Sequence, residues 1–439
     1  MPLMLCFIGI LCLILLIVWC KLDTFISFIV VSVGLGLACG LNIQQIGGAI
    51  QKGIGGILGS LVIILGFGAM LGRLVADSGA AQQIMESLIH VSGRKRIRWA
   101  MALAGLVVGI PLFYNAGFVV VMPLIVAAGA STGLPLVSLG MPMLSALSVA
   151  HGFLPPHPSP TTISQQLHAD LGRTLFYGLI AAVPTIIVAG PLFSRTLKKY
   201  KAVPDPSLLT VTVRKKEELP GLGVSLLTAL LPLVLLTATT IMNTMGVKPG
   251  VVKDVVTFIG DPNIAMLISV LVAIYTLGLR RGQRMTVVMK SLEEALKGVA
   301  PILLVIAGSG VFVEVMRQGG VIDFIAGSLK NAPVSPLLLG WGIAALIRVS
   351  VGSATVAGLT AAGIILPLLG QHPEVHPELM VLAIGAGSLF CSHVNDGGFW
   401  LFKNYFNLSV RETFLTWSVM ETIVSVVGLL AVLFLNLIV

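Results

Sequence analysis

Apolar runs of about 18 to 25 residues recur along nearly the whole chain, and a run of that length spans the ~30 Å hydrocarbon core of a bilayer as a helix. With 56% hydrophobic and only 10% charged residues, and a mean hydropathy of +1.02, the chain reads as an all-α polytopic membrane protein. The net charge of +9 does not mark a nucleic-acid binder, because Lys and Arg sit in short loops beside apolar runs, where they orient helices. Cys6, Cys12, Cys20, Cys39 and Cys391 all fall inside apolar runs without metal-type spacing, so they read as packing residues.

Spans are expected near 3–20, 24–41 and 53–76, then an interfacial helix over 78–91 and the basic cluster Arg94, Lys95, Arg96 and Arg98. The first run lacks a basic leader and a small-residue cleavage site, so it reads as a retained helix rather than a signal peptide. Two shorter runs, 99–113 and 117–130, meet at Phe113-Tyr114-Asn115-Ala116-Gly117. Each is marginal for a crossing at ~1.5 Å per residue, so the pair reads as a re-entrant hairpin, with two ordinary spans as the alternative. Spans at 135–168 and 174–197 lead to a basic, proline-containing linker at 201–220, and 221–245 and 262–279 form an out-and-back pair ending at Arg280, Arg281, Arg284 and Lys290. All three basic clusters place the same side in the cytoplasm. The remainder reads as a span at 298–316, an amphipathic piece to Asn331, a second short pair at 337–350 and 354–369, a broken span at 377–404 and a last span at 412–437.

Two spans are interrupted by polar stretches, SVAHGFLPPHPSP (Ser148 to Pro160) and SLFCSHVNDGGFW (Ser388 to Trp400). Backbone that leaves the helix at membrane depth is tolerated only where protein buries it or where it lines a wet cavity, so each break marks a binding site. His151 and His393 take matching places 242 positions apart (393 − 151). Near the same offset, LGRLVADSGAAQQIMESL from Leu71 aligns with FVEVMRQGGVIDFIAGSL from Phe312, Pro123 with Pro367, and Pro135 with Pro377. The common order points to an internal duplication, with residues 1–200 and 221–439 as two halves around the linker. Each half holds about five transmembrane helices, one re-entrant hairpin and a broken helix. An odd number of crossings inverts the second copy, the architecture of secondary transporters with a midplane site at discontinuous helices.

The second hairpin tip reads RVSVGSATVAG, with Ser350, Gly352, Ser353 and Thr355 together. Small hydroxyl residues at a helix start leave N–H groups facing an anion, although close helix packing explains small residues equally well. Glu314, Asp396, His151 and His393 lie within or beside apolar segments, where an ionisable group is costly and functional by default. His157 reads as a loop residue, and Arg348 as the structural partner of an unidentified acid. There is no Walker A sequence, HExxH or supported GxSxG, so the chain is read as neither an ATPase nor a hydrolase, with no catalytic residues, metal or cofactor.

At GFGAMLGRLVADSGAAQQI, AHGFLPPHPSP, GSATVAG and SHVNDGGFWLFKNYFNL the chain resembles the gluconate permease family over essentially its full length. Where close relatives carry an acid in a FYEVGF-like tip, this chain has Asn115 in FYNAGF. The resemblance implies a bacterial inner-membrane symporter of the ion transporter superfamily, a homodimer of elevator type, importing gluconate or another sugar acid with protons. Substrate binding is expected at Tyr114, Asn115, Gly117, His151, Ser353, Thr355, His393 and Asn395, and the proton on Asp396, Glu314 or His151. A channel or a membrane enzyme is disfavoured by the paired breaks. Idonate, fructuronate, a smaller sugar acid and D-serine remain open as substrates.

Overall fold

The computed structural model describes residues 2–200, 202, 214–244, 250–321, 335–394 and 396–439, and among them the regular structure is all helical. Residues 322–331 of the expected amphipathic piece and most of the linker at 201–220 lie outside the described residues.

Helix α1 (Pro2–Val18) and α2 (Thr24–Ala38) are joined by a turn in which Asp23 caps α2, accepting from the Phe25 and Ile26 amides. Helix α3 (Ile43–Asp77) begins ten residues before the apolar run that predicts it. Its start is set by a capping box between Asn42 and Gln45, which pairs amide groups a helix start leaves open. Its mate α12 (Met285–Gln318) also extends the expected span towards its N-terminus. In both helices the extra turns are amphipathic, so apolar run length alone under-reads them.

Helices α3 and α12 cross in opposite directions. Gly53 lies against Val311 and Gly310 near one end, while Ser291 Oγ donates to Asp77 Oδ2 at 2.6 Å near the other. The approach at the first end requires glycine: a Cβ on Gly53 would lie 2.6 Å from Val311 Cα, and one on Gly310 would lie 2.6 Å from Gly53 O. Helix α2 packs on α12, and α11 (Pro262–Ala273) packs on α3.

The expected interfacial helix and first hairpin arm form one element, α4 (Ala80–Gly109), broken by the positive φ of Gly93 (64°). The chain then turns into α5 (Tyr114–Thr132). The first broken span comprises α6 (Leu136–Phe153) and α7 (Pro158–Gln166), so the interruption is at residues 154–157 and His151 sits on the last helical turn before it. Helix α8 (Leu171–Ile187) runs on through a π turn and a 3-10 turn to Lys199. After α9 (Leu222–Thr244) comes a short helix that the sequence reading did not anticipate, α10 (Val251–Ile259).

The second hairpin is α13 (Pro336–Val351) and α14 (Ala354–Leu369), and the second broken span is α15 (Pro377–Gly387) and α16 (Gly397–Tyr405). The chain ends on α17 (Val410–Thr413), a π turn at Phe414–Ser418 and α18 (Val419–Leu435). Each hairpin arm packs on its neighbouring broken span, α4 on α6 and α13 on α15. Among the described residues, five helical segments are long and apolar enough to cross a membrane, a sixth being α3 if its 45° bend near Gly59 is counted as one span.

Candidate functional site

A cavity of about 970 Å³ lies where both hairpin tips, both breaks and the long helices α3 and α12 meet. The first tip contributes Tyr114, the first residue of α5. Its ring sits 5.9 Å from His151 and 5.9 Å from Trp417, and its hydroxyl is buried without a hydrogen-bond partner. His151 Nδ1 is likewise buried and unpartnered. Both residues line the cavity, while these two atoms lie buried in its wall, and a buried polar group without a partner is uncommon enough to mark a place where function is at work.

The second tip contributes Arg348, Val351 and the run from Gly352 to Val356. Gly352 ends α13 with a φ of 82°, and Ser353 caps α14 by accepting from the Val356 amide at 3.3 Å. The positive φ is where glycine costs no side-chain clash, and the new helix start, where a helix leaves N–H groups without an intrahelical partner, lines the cavity.

Arg348 is only 3% exposed on its side chain and is held from two directions. Its Nη2 donates to Asp396 Oδ2 at 2.5 Å, and its Nη1 donates to the Gly352 carbonyl. The acid left unidentified by the sequence is therefore Asp396. Asp396 has further work: Oδ1 accepts from the Gly398 amide at 3.0 Å, capping α16, and Oδ2 accepts from Ser392 Oγ. Ser392 in turn accepts from Trp417 Nε1 at 2.8 Å. The tip, the second break and the last helix are joined in one polar network.

The expected residues divide clearly. Tyr114, His151, Ser353, Thr355 and Asp396 all line the cavity. Gly117 does not; it packs under Leu147 and Leu112. His393 bonds to the Val349 carbonyl at 2.9 Å and stacks on Phe414, outside the lining. Glu314 lies at the opposite end of α12 from the cavity lining, paired with Arg317 at 2.6 Å and Lys52 at 3.4 Å. Asn115 stands on the first turn of α5, and Asn395 lies outside the described residues. His157, expected as a loop residue, is buried. Its Nε2 is 2.7 Å from the Gly109 carbonyl, so it pins the first break to the first hairpin.

The sequence reading missed Glu421. It stands on α18, 2% exposed, lines the cavity, and accepts from Ser148 Oγ at 2.9 Å. Its signal was present: a carboxyl group in the apolar run TWSVMETIVSVVGLL meets the same criterion that singled out Glu314 and Asp396. The outer rim of the cavity holds Arg73, Asp77 and Glu294. Among the described residues no group of three His, Cys, Asp or Glu side chains is arranged to hold a metal ion.

The fold is shared with solved transporters. The YdaH transporter of Alcanivorax borkumensis superposes with a TM-score of 0.67 at 18% identity, covering 94% of this chain and 96% of that one. MtrF of Neisseria gonorrhoeae superposes at 0.62 with 16% identity, covering 87% and 82%. Sequence similarity is far higher elsewhere. The chain is 46% identical to a high-affinity gluconate transporter of Escherichia coli K12 and 46% identical to a gluconate permease of Bacillus subtilis 168, each over 100% of both chains. It is 44% identical to the Gnt-II system L-idonate transporter of E. coli K12 over 99% of both. The GntP family permease description matches residues 1–438. The chain thus belongs to the GntP permease family, multi-pass membrane transporters rather than enzymes.

Proposed function

We propose that this protein imports gluconate or a closely related sugar acid across the bacterial inner membrane with protons, by alternating access. The observation that carries the reading is end-to-end identity of 46% with carriers named for gluconate, joined to a cavity lined by the guanidinium groups of Arg73 and Arg348, the carboxyl groups of Asp77, Glu294, Asp396 and Glu421, and the side chains of Tyr114 and His151. A monovalent polyhydroxy acid matches that wall. Its carboxylate is met by the N–H groups at Ser353 to Thr355 and by the edge of Arg348, and its hydroxyls by Tyr114 and His151. In this reading Asn115 and Asn395 belong to the same substrate-binding set, while Gly117 and His393, which do not line the cavity, support the first tip and the second break. The carrier is a homodimer in this reading.

The inverted repeat is supported by element order. Starting from α3 and from α12, each half presents a long helix, a hairpin, a broken span and a final helix at nearly constant offset, and α3 and α12 pack in opposite directions. That arrangement suits rocking or sliding of one set of elements against another around a midplane site. The rim residues Arg73, Asp77 and Glu294 lie at the ends of α3 and α12 adjoining the basic segments, which the positive-inside rule assigns to the cytoplasm. We read this form as inward-facing.

Proteoliposomes test the reading. Labelled gluconate should accumulate on an inward proton gradient in sodium-free buffer, and excess internal substrate should accelerate uptake by counterflow, which a channel does not do. Competition by idonate, fructuronate and D-serine ranks the substrates. Uptake indifferent to both pH gradient and membrane potential would refute proton coupling, the potential being worth ~2.3 kcal/mol per charge per 100 mV.

A further inference from the structure

Four acids line the cavity: Asp77, Glu294, Asp396 and Glu421. Three of them are paired with cations. Asp77 pairs with Arg73 at 2.8 Å, Glu294 with Lys297 at 2.9 Å, and Asp396 with Arg348 at 2.5 Å. Asp77 and Glu294 also sit at the rim, with side chains 39% and 47% exposed. Glu421 differs in each respect. It is deep and buried, it has no ion pair among the described residues, and its hydrogen bond comes from the neutral hydroxyl of Ser148. A carboxylate buried without a cation is strongly disfavoured, whereas the neutral acid is not.

We propose that Glu421 is the residue that carries the coupled proton. This rests on the reading of the chain as a proton-coupled sugar-acid carrier. The charges facing Glu421 across the cavity are those of Arg348 and Asp396, which cancel one another, while Tyr114 and His151 are the other titratable side chains in the deep wall. With Glu421 ionised, an entering carboxylate joins a wall that is already one charge negative. With Glu421 protonated, the same carboxylate meets a neutral wall. The substrate anion and the proton on Glu421 therefore favour each other's binding, which is the thermodynamic content of symport. The step balances simply: one proton from water on the entry side adds to the Glu421 carboxylate, and the same proton is lost to water on the exit side after the anion leaves. Ser148 ties this carboxyl to the last turns of α6 before the first break, so rearrangement of that break alters the site's hydration directly.

The test uses the full-length carrier, wild type and Glu421→Gln, purified and reconstituted. In wild type, an inward pH gradient drives accumulation of labelled gluconate, and adding gluconate to weakly buffered detergent-solubilised protein takes up protons, read with a pH dye. In Glu421→Gln the expected result is measurable counterflow, no accumulation above equilibrium, and no proton uptake on binding. Accumulation with the wild-type pH dependence overturns the proposal, and so does loss of counterflow in a variant that elutes and melts like wild type. Should Glu421→Gln fail to fold, Ser148→Ala decides. Removing the donor to the carboxylate should move the pH midpoint of uptake upward by about one unit or more, and an unmoved midpoint overturns the assignment. If wild type itself shows no counterflow with any sugar acid, the functional reading fails, which is a different outcome from a working carrier whose coupling ignores Glu421.

Discussion

Replacing Asp396 with Asn isolates one quantity, the counter-charge of Arg348. The amide oxygen takes the place of Oδ1 and still accepts from Gly398, and Asn caps a helix about as well as Asp, so the cap of α16 is retained. The amide nitrogen takes the place of Oδ2 and can donate to Ser392, but accepts from neither Ser392 nor Arg348. The lost interaction is the 2.5 Å ion pair to a guanidinium that is 3% exposed. Removing one partner of a buried pair costs about 3–5 kcal/mol, because the other charge is left uncompensated. Asp396 keeps 18% of its side chain exposed to the cavity, and water there offsets part of the loss. The expected destabilisation is therefore near the lower end, about 3 kcal/mol, or roughly a hundredfold in the folded-to-unfolded ratio. Asp396→Ala should cost about 1 kcal/mol more, through loss of the cap. The double variant Asp396→Asn with Arg348→Met should recover most of the loss. The assay is the fraction of monodisperse protein after a heating series in detergent, with exchange and accumulation measured on the same preparations. Exchange and accumulation should fall together in Asp396→Asn. Wild-type heat stability, or normal exchange with selective loss of proton-driven accumulation, would refute the reasoning and make Asp396 the proton site.

Three further outcomes are expected. Ser353→Ala and Thr355→Val should weaken gluconate binding about ten- to a hundredfold, the range for a lost hydrogen bond to a charged group, with expression unchanged; normal affinity with poor expression would assign both to packing. Gly53→Ala should cost about 1–3 kcal/mol by overpacking the α3–α12 crossing, whereas Gly48→Ala, where a Cβ meets nothing within 4 Å, should be neutral or slightly stabilising in a heating series. Glu314→Gln should leave the pH dependence of accumulation unchanged, since Arg317 and Lys52 hold that carboxylate away from the cavity; an altered dependence would return Glu314 to the proton path.

Much of this protein is determined locally and is therefore legible in the chain. A bilayer imposes a length on every crossing, so α8, α9, α11, both hairpins, both broken spans and the final helix lie within a few residues of the apolar runs. The breaks announce themselves through Pro155-Pro156, which cannot continue a helix without leaving backbone groups unpaired, and through the polar, glycine-containing run Asn395-Asp396-Gly397-Gly398, whose residues favour caps and turns over helix interiors. The starts of α3 and α12 were less legible, since their first turns are amphipathic and lie outside the apolar runs.

What one acid in an apolar run does was decided only by tertiary structure. Glu314, Asp396 and Glu421 look alike in sequence, each a carboxyl group among apolar neighbours. Folding brings Arg317 and Lys52 to the first, Arg348 from 48 positions away to the second, and only Ser148, 273 positions away, to the third. The cost of a buried charge depends on what stands within a few ångströms of it. Lys52, Arg348 and Ser148 come from other helices, and only Arg317, three positions along the same helix as Glu314, was a local signal, so no local pattern could separate the paired Asp396 from the unpaired Glu421.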